Sequence, residues 1–116
     1  MNGRRPVVRY GNAAPEESEA QFQARVRKLL TLHGYPKIYH TKRSKGSDKG
    51  FPDLVAVSVR QKRRLFIELK RESAPKKIPA DQLDWHDHLV EAGAEAYIWR
   101  PSQWRELERI IAGLDR

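Results

Sequence analysis

The sequence predicts an α/β domain: a mixed central β-sheet flanked by helices, in the order α-β-β-β-α-β-α. Three observations carry that reading. Two short apolar, β-branched runs, residues 54–59 (LVAVSV) and 65–69 (LFIEL), flank a polar break of hairpin length, Arg60-Gln61-Lys62-Arg63. Apolar residues recur at helical spacing ahead of the hairpin and again after it. The helical stretch that follows the hairpin then leads into a further strand-like run, so that strand can lie parallel to one of its predecessors. At 116 residues the chain holds one domain with a modest core.

The elements follow in order. Residues 1–15 show no sustained period and contain turn formers, so they read as a flexible basic arm, with the folded domain at 16–116. Ser18 caps the first helix and Gln21 completes a capping box. Phe22, Val26, Leu29, Leu30 and His33 follow helical spacing, and Gly34 is a natural stop. Pro36 restarts the chain, and residues 37–41 (KIYHT) alternate as a first strand. Residues 42–50 (KRSKGSDKG) form a loop that lacks the spacing of a phosphate-binding P-loop. The hairpin comes next, then a loop at 71–79. A second helix spans 80–92, with Gln82, Trp85, Leu89 and His86 towards one face and Gly93 at its end. Glu95–Trp99 reads as a fourth strand. Pro101 and Ser102 open a last helix with Trp104, Leu107, Ile110 and Ile111 on its apolar side. Trp85 and Trp99 are expected in the core.

Chemistry enters at Gly50-Phe51-Pro52-Asp53 and, fifteen residues after the aspartate, at Glu68-Leu69-Lys70. Side chains alternate along a strand, so Glu68 and Lys70 share a face. A two-residue loop at Arg60-Gln61 sets Asp53 opposite Glu68, and a four-residue loop sets it opposite Lys70. Either count brings Asp53 to that face. A three-residue loop removes it, because a one-residue slip turns every side chain over. Two carboxylates about 4 Å apart repel by roughly 4 kcal/mol at an effective dielectric of 20. One lysine offsets part of this, and a divalent cation between the oxygens offsets the rest. Oxygen ligands suit Mg²⁺ or Mn²⁺. The trio therefore fits a metal-dependent site for phosphodiester cleavage.

Composition fits a polyanionic partner. The net charge is +8 and a third of the residues are charged. Arg4, Arg5 and Arg9 lie in the arm. Lys37, Lys42, Arg43, Lys45 and Lys49 precede Asp53. Arg60, Lys62, Arg63 and Arg64 read as the hairpin turn, and Arg71, Lys76 and Lys77 follow the third strand. Lys42, Arg43, Lys45, Lys49, Arg71, Lys76 and Lys77 are the candidate DNA contacts. There are no cysteines, which excludes disulfides and thiolate metal sites and fits a reducing cytoplasm. No run of 18 apolar residues suggests a membrane span, and no apolar segment follows the basic N-terminus, so no signal peptide is expected. His86 and His88 lie two apart on a helix and point to different faces, which argues against a paired zinc site. His33 reads as a helix C-terminal residue and His40 as a packing residue near the site. On spacing alone Glu19 is a first-turn acid favouring the helix dipole.

Taken together, Ser18-Glu19-Ala20-Gln21-Phe22, Gly50-Phe51-Pro52-Asp53-Leu54, Glu68-Leu69-Lys70, Gln82-Leu83-Asp84-Trp85 and residues 93–101 (GAEAYIWRP) resemble the VRR-NUC group of the PD-(D/E)xK nuclease superfamily, over roughly residues 18–104. The resemblance implies a restriction-endonuclease-like core and a single nuclease domain at 16–116. It implies that Asp53 and Glu68 are the principal metal ligands, aided by the Leu69 carbonyl, with Glu19 at the edge of the metal site. Lys70 orients or activates the attacking water, and Gln82 faces the site from the second helix. The implied reaction is Mg²⁺- or Mn²⁺-dependent cleavage of DNA to a 5′-phosphate and a 3′-hydroxyl. Stand-alone members look like Holliday-junction resolvases or structure-selective nucleases, often of phage origin. Symmetric junction cutting needs two sites, so a homodimer is expected, in a prokaryotic or phage-infected cytoplasm. The alternative is a non-catalytic DNA-binding module that keeps the nuclease fold.

Overall fold

A computed structural model describes residues 16–42 and 48–116. They form α1 (Glu19–Leu32), β1 (Lys37–His40), β2 (Leu54–Ser58), β3 (Arg63–Leu69), α2 (Ala80–Glu91), β4 (Glu95–Trp99) and α3 (Trp104–Ile111), the last entered through a 3₁₀ turn at Pro101–Gln103. The element order is the expected one. The basic arm at 1–15 lies outside the described residues, as do Arg43 and Lys45.

Helix α1 begins as its sequence dictates. The Gln21 N–H donates to Ser18 Oγ at 3.1 Å, and the Ser18 N–H donates back to Gln21 Oε1 at 2.8 Å. Phe22, Val26, Leu29 and Leu30 make its buried stripe. The helix stops at His33, and Gly34 turns the chain with φ +90°.

The sheet runs β1-β2-β3-β4. β1 and β2 are antiparallel, β2 and β3 are antiparallel, and β4 returns parallel to β3 across the α2 crossover. The β2–β3 ladder pairs Ser58 with Arg63 and Leu54 with Ile67. One further step sets Asp53 opposite Glu68, the register of a loop centred on Arg60-Gln61. The turn itself takes Val59 to Lys62, closed by Lys62 N–H to Val59 O at 3.2 Å, with Lys62 at φ +56°. β3 thus starts two residues before the apolar run.

One face of the sheet carries Leu54, Ala56, Leu65, Ile67, Leu69 and Trp99, packed with Phe22, Val26 and Leu30 of α1 and Leu107 and Ile111 of α3. Each fully buried Leu, Ile, Val or Phe among them contributes about 1.5–3 kcal/mol. The other face meets α2 through Phe51, whose ring stands edge-on to Phe66 (6.3 Å) and to Trp85 (5.0 Å). No residue of α2 is fully buried. Trp99 is a core residue as expected, but Trp85 is half-buried and lies outside the core.

Arg63 departs from expectation. It is not a turn cation but the first residue of β3, and its side chain is 2% exposed. Its guanidinium donates to Glu95 (2.6 and 3.0 Å), to Asp115 (2.8 Å twice) and to the Ile110 carbonyl (2.9 Å). All its directions are filled, as a buried guanidinium requires. Hydrogen bonds from Arg63 hold the Glu95 and Asp115 carboxyls below the ordinary range and raise the Arg63 pKa further. Tyr97, which donates to Glu95 at 2.9 Å, is pushed up to about 12 by burial and by that hydrogen bond. At the same end of the sheet, the Gln61 side-chain amide donates to the carbonyls of His33 (2.8 Å) and Ile111 (2.9 Å), joining the ends of α1 and α3 to the hairpin turn.

Candidate active site

The opposite end of the β2–β3 hairpin is where the ladder opens. Pro52 has no N–H to give, and Asp53 sits one residue before β2. Its main chain still serves β1: the Thr41 N–H donates to Asp53 O at 2.8 Å, and Thr41 Oγ1 to Pro52 O at 2.6 Å. On the β3 side, the Asp53 carboxylate replaces a ladder carbonyl. Its Oδ2 accepts the Leu69 N–H at 2.8 Å. This fixes the carboxylate at the mouth of the hairpin. A strand residue projects its N–H and C=O to the same edge, so the Leu69 carbonyl faces the same opening while its side chain is sealed in the core.

Asp53 is 7% exposed and Glu68 4%. Directly opposed strand residues share a face, with Cβ atoms about 4.5–5.5 Å apart. The Lys70 ammonium lies 3.5 Å from Glu68 Oε2, and its own side chain is 13% exposed. Lys70 is held by its backbone too, the N–H donating to Trp99 O at 2.9 Å. The parity expected from the sequence is therefore met: Asp53, Glu68 and Lys70 occupy the face opposite Leu65, Ile67 and Leu69.

Two helices close on this end. Gly50, at φ +87°, brings the loop against the start of α2. A Cβ there would collide with the Asp81 carbonyl and come within 2.8 Å of the Gln82 nitrogen. The contact sets the first turn of α2 beside Asp53, with Gln82 in it. Gln82 Oε1 is buried and accepts no hydrogen bond from the described residues. From the other side comes the start of α1. Glu16 reaches Ser73 (2.9 Å) and Arg71 (3.9 Å), just past Lys70, and Gln23 lies 3.4 Å from His40 at the end of β1. Glu19 stands between them on the helix, half-exposed. Among the described residues no three His, Asp or Glu side chains gather as a ready metal-binding group, so Glu19 is not drawn into a cluster with Asp53 and Glu68.

The basic residues divide between the two ends. Lys42, Lys49, Arg71, Lys76 and Lys77 are exposed around the open end. Arg60, Lys62 and Arg64 belong to the far end, beside the buried Arg63. Sequence reasoning missed Arg100. Its guanidinium donates to the carbonyls of Arg71 (3.2 Å), Ala74 (2.8 Å) and Pro75 (2.8 Å), so it shapes the loop that presents Arg71, Lys76 and Lys77. The signal was faint: a single cation after β4, with partners more than twenty residues earlier. No helix among the described residues is long and apolar enough to cross a membrane.

A mixed sheet with two carboxylates and a lysine on one face of its open end defines the PD-(D/E)xK class of nuclease folds. Within that class the chain belongs to the VRR-NUC domain family, whose model matches residues 4–103. A solved structure described as a VRR_NUC domain protein shares the fold, with a TM-score of 0.57 at 18% identity, over 87% of this chain and 88% of that one. The Archaeoglobus fulgidus protein Hjc, a Holliday junction resolvase from an archaeal hyperthermophile, superposes with a TM-score of 0.51 at 27% identity, over 70% of this chain and 67% of its own. No curated protein matches the chain.

Proposed function

We propose that this protein is a Mg²⁺- or Mn²⁺-dependent DNA endonuclease that selects branched DNA, such as a Holliday junction, and acts as a homodimer in the cytoplasm of a prokaryotic or phage-infected cell. The observation that carries the reading is the placement of buried Asp53 and Glu68 and partly buried Lys70 on one face at the open end of the sheet, in a chain of net charge +8.

The donor set fits a hard divalent cation. Two buried carboxylates meet one lysine, and Gln82 adds a buried oxygen that accepts nothing from the described residues. Asp53 and Glu68 would hold the ion, with the Leu69 carbonyl beside them and Glu19 at the edge. A bound Mg²⁺ or Mn²⁺ supplies Lewis acidity and lowers the pKa of its water. Lys70, fixed by Glu68 and by the backbone of β4, orients the attacking water and balances charge on the phosphate. Such a group contributes about 10²–10⁴ in rate. Gln82 steadies Lys70 or that water. Lys42, Lys49, Arg71, Lys76 and Lys77 receive the flanking phosphates. Cleavage leaves a 5′-phosphate and a 3′-hydroxyl. The likeness to a Holliday junction resolvase favours a branched substrate, and paired nicks in such a substrate need two copies of the site.

The test is a panel of labelled duplex, flap, splayed-arm and four-way DNAs, digested with Mg²⁺, Mn²⁺ or chelator. The expected result is metal-dependent cleavage of a branched substrate, abolished by Asp53→Ala while binding survives. Wild-type protein that binds the panel but cuts none of it with either metal overturns the enzyme reading.

A further inference from the structure

Next to the acidic trio, on the same face of the sheet, the structure holds an aromatic recess. It is a cavity of about 280 Å³ lined by Tyr39, Thr41, Asp48, Phe51 and Trp85. Its position follows from the strand register. Ile38 packs on the core, so Tyr39 points to the opposite face, that of Asp53 and Glu68. Thr41 is joined to Asp53 by the last β1–β2 hydrogen bond. The recess is therefore about one strand spacing, roughly 5 Å, from the site of chemistry. Tyr39 is 62% exposed. Phe51 and Trp85 meet edge-on at 5.0 Å and form the inner wall. Thr41 and Asp48 complete the lining.

We infer that this recess binds one unstacked nucleobase of the DNA substrate, and that Tyr39 stacks on it. The inference rests on the nuclease reading above and names what that nuclease selects: a base freed from its pair next to the scissile phosphate. The volume admits a single planar ring system, below the about 300–1,000 Å³ of sites for drug-sized ligands. Aromatic rings stack on any base, and a splayed arm, gap or single-stranded junction offers an unpaired base where intact duplex does not. A second copy of the chain is a poorer occupant. The exposed apolar contribution of β1 and β2 on this face is Tyr39 and Val57, and the recess is flanked by exposed Lys42 and Lys49 in a chain of net charge +8.

The experiment uses the full chain with Ca²⁺ replacing Mg²⁺. The probes are a splayed-arm DNA and a gapped duplex, each carrying 2-aminopurine at an unpaired position, and an intact duplex control. Wild-type protein quenches the probe base on binding. Tyr39→Ala abolishes the quenching and weakens binding to the unpaired-base DNAs about 5- to 150-fold, the loss of one base–ring stack. Its affinity for intact duplex stays within twofold, and Tyr39→Phe restores both signals. Equal loss on duplex and unpaired DNA, or quenching that survives Tyr39→Ala, overturns the inference. So does a change from dimer to monomer in Tyr39→Ala with the quenching intact, which assigns the ring to a subunit contact. Cleavage is scored separately with Mg²⁺. A wild type that quenches but never cuts refutes the nuclease reading alone, and one that cuts branched DNA without quenching refutes this inference alone.

Discussion

Replacing Arg63 by Met separates the scaffold from the chemistry. Arg63 lies five residues before Glu68 on β3, at the end of the sheet away from the acidic trio. The substitution keeps much of the side chain's length and removes a buried charge with five hydrogen bonds. Removing one partner of a buried ion pair costs about 3–5 kcal/mol. Here the orphaned carboxylates are 27% and 30% exposed and retain some hydration, so the expected loss is about 2–4 kcal/mol. For a chain of this size that lowers Tm by roughly 8–15 °C. The pH dependence gives a second signature. The Glu95 and Asp115 pKa values are depressed in the fold, so their contribution is fully present above their unfolded values, about 4, and is lost as pH falls through the folded values. Wild-type stability should therefore fall on acidification below about pH 4.5, and Arg63→Met should show a flatter slope there. Thermal melting at pH 7 and urea denaturation across pH 3–5 measure the two quantities. A variant with wild-type Tm at neutral pH, or with an unchanged acid slope, would falsify the account of Arg63 as a satisfied buried ion.

Further outcomes are expected elsewhere. Gly50→Ala, at φ +87° and against the α2 backbone, should cost more than about 1 kcal/mol and depress cleavage more than duplex binding, read by thermal melting and a nicking assay; a neutral substitution would mean the loop does not position α2. Gln82→Leu removes a buried oxygen that accepts no hydrogen bond from the described residues, so apo stability should hold or rise by up to about 1–3 kcal/mol while cleavage falls. A lower Tm would show that Gln82 has a structural partner. Lys77→Ala should weaken all DNAs alike and reduce the salt slope of binding by about 0.9, measured by fluorescence anisotropy between 50 and 200 mM salt; an unchanged slope removes Lys77 from the phosphate-contacting surface.

Much of the architecture was legible because its signals are local. The capping box at Ser18 and Gln21, the stop at Gly34 and the alternation around residues 54–69 depend on neighbours within a few positions. Counting back from the turn set Asp53 opposite Glu68 or Lys70, and the β2–β3 ladder selects Glu68. What the sequence hid are partners far along the chain. Arg63 looked like one more turn cation because its acids, Glu95 and Asp115, lie 32 and 52 residues away. Arg100 gave no signal because its acceptors are carbonyls, which any residue offers. Trp85 was expected in the core on size alone, yet helix α2 buries nothing fully, and the ring borders a recess instead. That Asp53 answers the Leu69 amide could not be read from spacing, since it depends on the ladder parting at Pro52.

The turn between β2 and β3 invites use as a place to graft a tag or lengthen the chain, since short exposed hairpin tips usually tolerate insertion. The Gln61 amide forbids it here. Lengthening that tip would unfasten the carboxyl ends of both core helices at once, at a point far from the acidic trio, and the injury would register as lost folding rather than lost chemistry. Any label intended to leave the molecule intact belongs elsewhere on its surface.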